Sequence, residues 1–159
     1  MYKVYLSPST QDKSFGVGDF GVEEFRMNQI ADVVEQSLLQ SGEYAVFRNV
    51  SGMTKEEIIA DSNDAKPNIH VAIHSNYGNK PGCECYVKVG DETSNGFGKE
   101  VYKEVLALHY DKNIDNGLVY DKNIDLKTNT YKTDTCILDM INSEIVKTNT
   151  YKNNRLFCL

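Results

Sequence analysis

The chain contains no run of about 18 apolar residues, the length a membrane-spanning helix needs, so no membrane span is expected. It has no basic block and no acidic tail. Its formal net charge is −6, which argues against a nucleic-acid partner, because binding phosphates requires a positive surface. The N-terminus lacks an apolar segment followed by a small-residue cleavage site and runs straight into strand-like Tyr2-Lys3-Val4-Tyr5-Leu6. The expectation is a protein made in the cytoplasm without a signal peptide. Cysteines are few, and none forms the C-x-x-C pair of zinc knuckles or redox motifs. Cys83 and Cys85 stand two apart in a strand-like stretch, so they would share a face as small buried hydrophobes.

The sequence is 159 residues long, enough for one domain with a substantial core. Strand and helix patterns alternate through its first half. Residues 2–6 read as a strand, and 7–20 as a polar, Gly-rich loop. Ile30, Val33, Val34 and Leu38 form one stripe of a helix from Val22 to about Leu39, ended by Ser41-Gly42. Tyr44–Phe47 reads as a second strand. Thr54-Lys55-Glu56-Glu57 is a capping box that should open a helix, and Lys66-Pro67 should close it. A strand at 69–74, a Gly-rich loop at 76–82, a strand at 83–89 and a helix at about 97–109 follow. This order predicts a single three-layer α/β/α domain with a mostly parallel central sheet. The last third is less regular. Tyr-Asp-Lys-Asn-Ile-Asp occurs at 110–115 and 120–125, and Lys-Thr-Asn-Thr-Tyr-Lys at 127–132 and 147–152. Between them, 136–141 reads as one more buried strand.

The most informative stretch is Ile69-His70-Val71-Ala72-Ile73-His74-Ser75-Asn76, an apolar run that ends in His-Ser-Asn. It reads as a buried strand delivering an imidazole to the carboxyl edge of the sheet, where sites in open α/β folds form. Glu24 falls in the first turn of the helix after strand one. In right-handed βαβ units that turn lies on the same edge as His74, so the two can converge. A carboxylate plus an imidazole is part of a zinc ligand set. His70 lies four residues before His74, about 13 Å away at about 3.3 Å per residue, too far to share one metal, and reads as a packed or rim histidine. His109 would end a helix, where a cation is favoured.

Three segments together resemble a known family: Leu6-Ser7-Pro8-Ser9-Thr10-Gln11, then Gly21-Val22-Glu23-Glu24-Phe25-Arg26-Met27-Asn28-Gln29-Ile30-Ala31, then Ala72-Ile73-His74-Ser75-Asn76. They look like the zinc-dependent N-acetylmuramoyl-L-alanine amidases of the amidase-3 type, in the clostridial and phage-endolysin branch. The resemblance is strong over 1–90 and weak over 91–141, and the Glu-x-x-x-Asn-x-x-Ala helix with Ile-His-Ser-Asn is its most specific pair. It implies zinc as cofactor and Glu24 and His74 as ligands. The family's first ligand, a histidine after strand one, is Thr10 here, and a hydroxyl is a poor zinc donor because its proton is not readily lost. Gln11 beside it offers a carbonyl oxygen and Asp12 a carboxylate.

The family's catalytic glutamate corresponds to Asp139 in Ile137-Leu138-Asp139-Met140-Ile141, a methylene shorter and without the Gly-Phe that follows it in the family. Glu84, in Gly82-Cys83-Glu84-Cys85-Tyr86, matches the glutamate of the family's Gly-x-Glu-x-Tyr strand, which implies support of the ligands or contact with substrate, against the alternative of an exposed strand residue; it is also the second candidate for proton transfer. The implied reaction is hydrolysis of the amide between N-acetylmuramic acid and L-alanine of the peptidoglycan stem peptide, acting at the bacterial cell wall. Zinc would polarise the carbonyl and acidify water, and Asp139 or Glu84 would take the proton. With no obvious wall-binding module, targeting would rest on this domain or a partner. Two competing readings are an impaired relative that binds wall fragments or regulates another hydrolase, and an unrelated α/β domain.

Overall fold

The computed structural model describes residues 1–12, 21–76, 82–87, 90–107, 115–119 and 134–141. The elements run β1 (Tyr2–Pro8), α1 (Glu23–Ser41), β2 (Tyr44–Arg48), α2 (Lys55–Ala65), β3 (Ile69–Asn76), β4 (Gly82–Val87), α3 (Glu92–Ala107), β5 (Asp115–Val119) and β6 (Asp134–Ile141). They build one six-stranded sheet in the order β2-β1-β3-β6-β4-β5. Strands β2, β1, β3 and β6 are parallel, whereas β4 pairs antiparallel with β6 and parallel with β5. The mostly parallel α/β architecture expected from the sequence is therefore present, with a reversed pair at one side.

Strand alternation divides the sheet residues between two layers. Val4 and Leu6 of β1, with Ile69, Val71 and Ile73 of β3, join the cluster formed by Met27, Ile30, Ala31, Val34 and Leu38 of α1. Val101, Tyr102 and Val105 of α3 complete that cluster against Cys85 and Val87 of β4. Each aliphatic side chain so buried contributes about 1.5–3 kcal/mol relative to exposure. The alternate residues, Tyr5 and His70, meet α2 on the other face. Tyr5 donates its hydroxyl to Asp61 Oδ2 at 2.5 Å, and Ser62 Oγ lies 2.8 Å from His70 Nδ1. Helices thus cover both faces, α1 and α3 on one and α2 on the other.

The local signals mostly act as expected. Gly42 ends α1 in the left-handed region at φ 72°, where a side chain would be strained. Thr54 and Glu57 form the reciprocal capping box at the start of α2, and Lys66 closes that helix, also left-handed at φ 49°. The bond that the Glu57 carboxylate accepts from the Thr54 backbone N–H, and then the one from its hydroxyl, hold the carboxyl below its usual pKa.

Two features depart from the sequence expectation. Helix α3 begins at Glu92 rather than near 97, because Asp91 accepts from both the backbone N–H and the hydroxyl of Ser94 at 3.0 Å. This cap offsets the helix-weakening Gly96 and Gly98. Strand β5, in the region of the repeats, was not signalled by any hydrophobic alternation. His109 and the duplicated segments, apart from Asp115, lie outside the described residues. No helix among the described residues is long and apolar enough to cross a membrane.

Candidate functional site

The carboxyl ends of β1 and β3 and the first turn of α1 meet at one edge of the sheet. Parallel pairing aligns Ser7 with Ala72 and Pro8 with Ile73, and Ser9 N–H continues the ladder to the Ile73 carbonyl at 2.9 Å. His74 follows directly and is partly exposed at its ring, 32 % by side chain. Val22 precedes α1 in extended conformation and supplies no side-chain cap. The first turn therefore carries its negative charges, Glu23 and Glu24, at the positive end of the helix dipole.

Glu23, not Glu24, reaches His74. Its Oε1 lies 3.3 Å from His74 Nδ1 and accepts from Ser75 N–H at 3.2 Å. The expectation that Glu24 meets His74 is corrected by one position. Glu24 accepts instead from Ser51 Oγ at 2.5 Å, on the β2–α2 connection. Successive helical residues diverge by about 100°, so the first turn can aim only one of the two carboxylates at the strand edge. The Glu-Glu doublet was visible in the sequence, but nothing in the spacing said which member faces inward.

Glu23 is buried, and burial alone would raise its carboxyl pKa. Hydrogen bonds from His74, Ser9 and Ser75, the last through both hydroxyl and backbone, outweigh that effect and hold the carboxyl below its usual value. Ser9 and Ser75 are therefore site residues that sequence reasoning passed over; their only signal was proximity to Thr10 and His74. Asn28, one turn along α1, donates to the Glu24 carbonyl at 2.7 Å and accepts from Arg48 at 2.6 Å. Arg48 also reaches Asp32 at 2.7 Å and Glu35 at 3.0 Å, which ties the end of β2 to α1.

The remaining candidates fall into two groups. Thr10 donates its hydroxyl to the Met53 carbonyl at 3.0 Å, and Gln11 takes part through its backbone N–H, which donates to Ser9 Oγ at 3.2 Å. Asp12 is exposed. Asp139 and Glu84 are placed by register: Asp139 on β6 is the partner of His74 on β3, and Glu84 on β4 is the partner of Asp139. His74, Asp139 and Glu84 thus form one row across three adjacent strands. His70 is fully buried, stacked on Tyr5 with centroids 5.0 Å apart, and belongs to the packing beneath the sheet. Burial, with a smaller contribution from His74, lowers its pKa to about 3.

Zinc holds nitrogen and oxygen donors at about 2.0–2.1 Å in a tetrahedron, which leaves about 3.3 Å between two of them. The Glu23–His74 separation of 3.3 Å matches that spacing, and the donor types suit zinc. Among the described residues no group of three His, Cys, Asp or Glu side chains comes together, so this pair accounts for two donors.

No protein-family model matches the sequence, and curated proteins give no significant match. Solved structures do match. The N-acetylmuramoyl-L-alanine amidase of Clostridium difficile 630 superposes with a TM-score of 0.79 at 13% identity, covering 98% of this chain and 90% of that one. The catalytic domain of the amidase CwlV from Bacillus (Paenibacillus) polymyxa var. colistinus gives 0.73 at 18% identity, covering 87% and 79%. The catalytic domain of the CD27L endolysin, which targets Clostridia difficile, gives 0.67 at 14% identity, covering 87% and 80%. At these identities the likeness is one of architecture: the chain has the fold of N-acetylmuramoyl-L-alanine amidases.

Proposed function

We propose that this chain is a zinc-dependent peptidoglycan amidase of the amidase-3 type, in the endolysin branch. It would cut the bond between N-acetylmuramic acid and L-alanine of the stem peptide at the bacterial cell wall. The observation that carries this reading is the Glu23–His74 pair at zinc-ligand spacing, set at the carboxyl edge of a sheet with the amidase fold. When bound, zinc polarises the amide carbonyl and lowers the pKa of water.

The chain's own residues supply the rest. Glu23 and His74 hold the metal, and Ser9 and Ser75 keep the Glu23 carboxylate ionised and aimed at the imidazole. Asp139 and Glu84, in register beyond His74, are the acids available to take the water's proton and return it to the leaving amine. An impaired, wall-binding relative is the second reading. It is favoured by Thr10, whose hydroxyl is engaged with Met53 where the family carries a ligand.

A zinc titration coupled to release of muramoyl peptides from purified wall separates the two. Stoichiometric zinc with zinc-dependent release of peptides bearing a free L-alanine amine supports the amidase. Wall binding without release, with or without zinc, supports the second reading.

A further inference from the structure

We propose that α2, with the connections at its two ends, is a separately opening unit of this fold, released from the sheet when the chain is acidified. The observation that carries this is how the helix is held. Of its residues only Ile58 and Ser62 are buried, and neither belongs to the apolar cluster that holds α1 and α3 on the other face. In contrast, α1 commits Met27, Ile30, Ala31, Val34 and Leu38 to that cluster. Packing of an apolar face supplies most of what keeps a helix in place, so the two faces of the sheet are held unequally. The attachments of α2 are polar instead. The Tyr5 hydroxyl donates to Asp61 at 2.5 Å, Ser62 Oγ meets His70 Nδ1 at 2.8 Å, and Lys3 Nζ donates to the Ala65 carbonyl at 3.2 Å. The exit of the helix also stores strain, because Lys66 closes it at φ 49°, where a side chain is disfavoured. An element with few buried apolar contacts is one that opens ahead of the core.

His70 makes that opening sensitive to protons. Its ring is fully buried and stacks on Tyr5, 16° from parallel, with Ser62 of α2 against its Nδ1. The titratable groups around it are Asp61 from α2, Lys3 and the Tyr5 hydroxyl from β1, and His74 from its own strand. Its register partner on β6, Thr135, does not titrate. Docked, the ring is shielded from water, an imidazolium is costly there, and a proton is taken only near pH 3. Lifting α2 returns the ring to water and to its ordinary value of 6.5. Below that value the opened form binds a proton that the docked form refuses, so acid favours opening. The release also reaches the edge of the sheet. The connection before α2 carries Ser51 and Met53, the partners of Glu24 and Thr10, and these two stand beside Glu23 and Ser9 in the chain. Opening therefore loosens the surroundings of Glu23 while the apolar core stays folded.

Native-state hydrogen exchange on the full chain tests this, followed amide by amide in low urea at about pH 7.5 and about pH 5. That window lies above the ordinary carboxylate range, so Asp61 and Glu57 do not titrate within it. At the higher pH, amides of α2 should open with a constant at least about 10-fold above those of α1 and β3, and with a weaker dependence on urea. Lowering the pH to about 5 should raise the α2 constant by about 30-fold. In His70→Phe, which keeps a ring on Tyr5, the same change should stay under about 3-fold. Amides of α2 that share the constants and urea dependence of α1 would show one cooperative unit and overturn the proposal. An α2 constant that stays flat with pH in the wild type overturns it as well, and that result stands even where His70→Phe folds poorly. A full acid response in His70→Phe places the proton on another group and removes His70 from the device. Neither zinc nor wall hydrolysis enters the readout, so each of these failures leaves the amidase reading standing.

Discussion

Burial of His70 between Tyr5 and Ser62 means that the folded chain takes up a proton there only near pH 3, whereas the unfolded chain does so near its ordinary value of 6.5. Below 6.5 the unfolded state therefore binds more protons, and stability falls as the pH drops toward 3. The loss is about 3 kcal/mol by pH 4 and reaches on the order of 5 kcal/mol. His70→Phe keeps a ring against Tyr5 but removes the titration. Its stability should vary less between pH 6.5 and 4 than that of the wild type, read by urea unfolding at several pH values; an equal slope would place the acid sensitivity elsewhere. Glu23, whose carboxyl pKa is lowered, adds stability that is present above the usual 4.5 and lost as the pH falls through its folded value. Its partners also set a contrast between neighbours. Glu23→Gln should weaken zinc binding by at least about 100-fold, and Glu24→Gln, which faces Ser51, by little. Chelator competition on both variants checks this, and the reverse order would restore Glu24, the ligand that the family resemblance implies. His74 was legible because it ends an apolar run. The inward glutamate was not, because a doublet at a helix start is resolved only by the turn's orientation on the sheet.

Elements whose boundaries are written in side chains were readable: the Thr54–Glu57 box opens α2, and Gly42 closes α1. The start of α3 was not, because Asp91 is a lone cap followed by glycines that argue against a helix. Thr54→Ala should cost about 1 kcal/mol of stability, since it leaves the Glu57 backbone N–H without its cap. Urea unfolding measures this, and a change within error would mean the box adds nothing to a helix already held by its packing. The tie between β2 and α1 depends on shape as well as charge. Arg48 spreads its two terminal nitrogens over Asp32, Glu35 and Asn28, which a lysine's single ammonium does not reproduce. Arg48→Lys should therefore lose about 1–2 kcal/mol, most of what Arg48→Ala loses. Full retention of stability by the lysine variant would reduce the cluster to a simple ion pair.

At the scale of the whole molecule, the layered α/β order was legible from alternating periodicities, but the place of the last described strand was not. Nothing in the composition of 136–141 says that β6 threads between β3 and β4 and turns the rest of the sheet antiparallel. Being interior, β6 has both edges paired and tolerates no proline. Ile137→Pro should abolish cooperative thermal unfolding, and a sharp transition near the wild-type midpoint would contradict the strand order. That strand order also bears on synthesis. Translation at about 5–20 residues per second puts roughly 2–10 s between the emergence of β4 and of β6. Through that interval the growing chain presents the open backbone edges of β3 and β4, which invite pairing with other strands. The register position between His74 and Glu84 stays empty until Asp139 emerges, so on the ribosome the sheet edge that bears His74 is incomplete until β6 pairs with both neighbours.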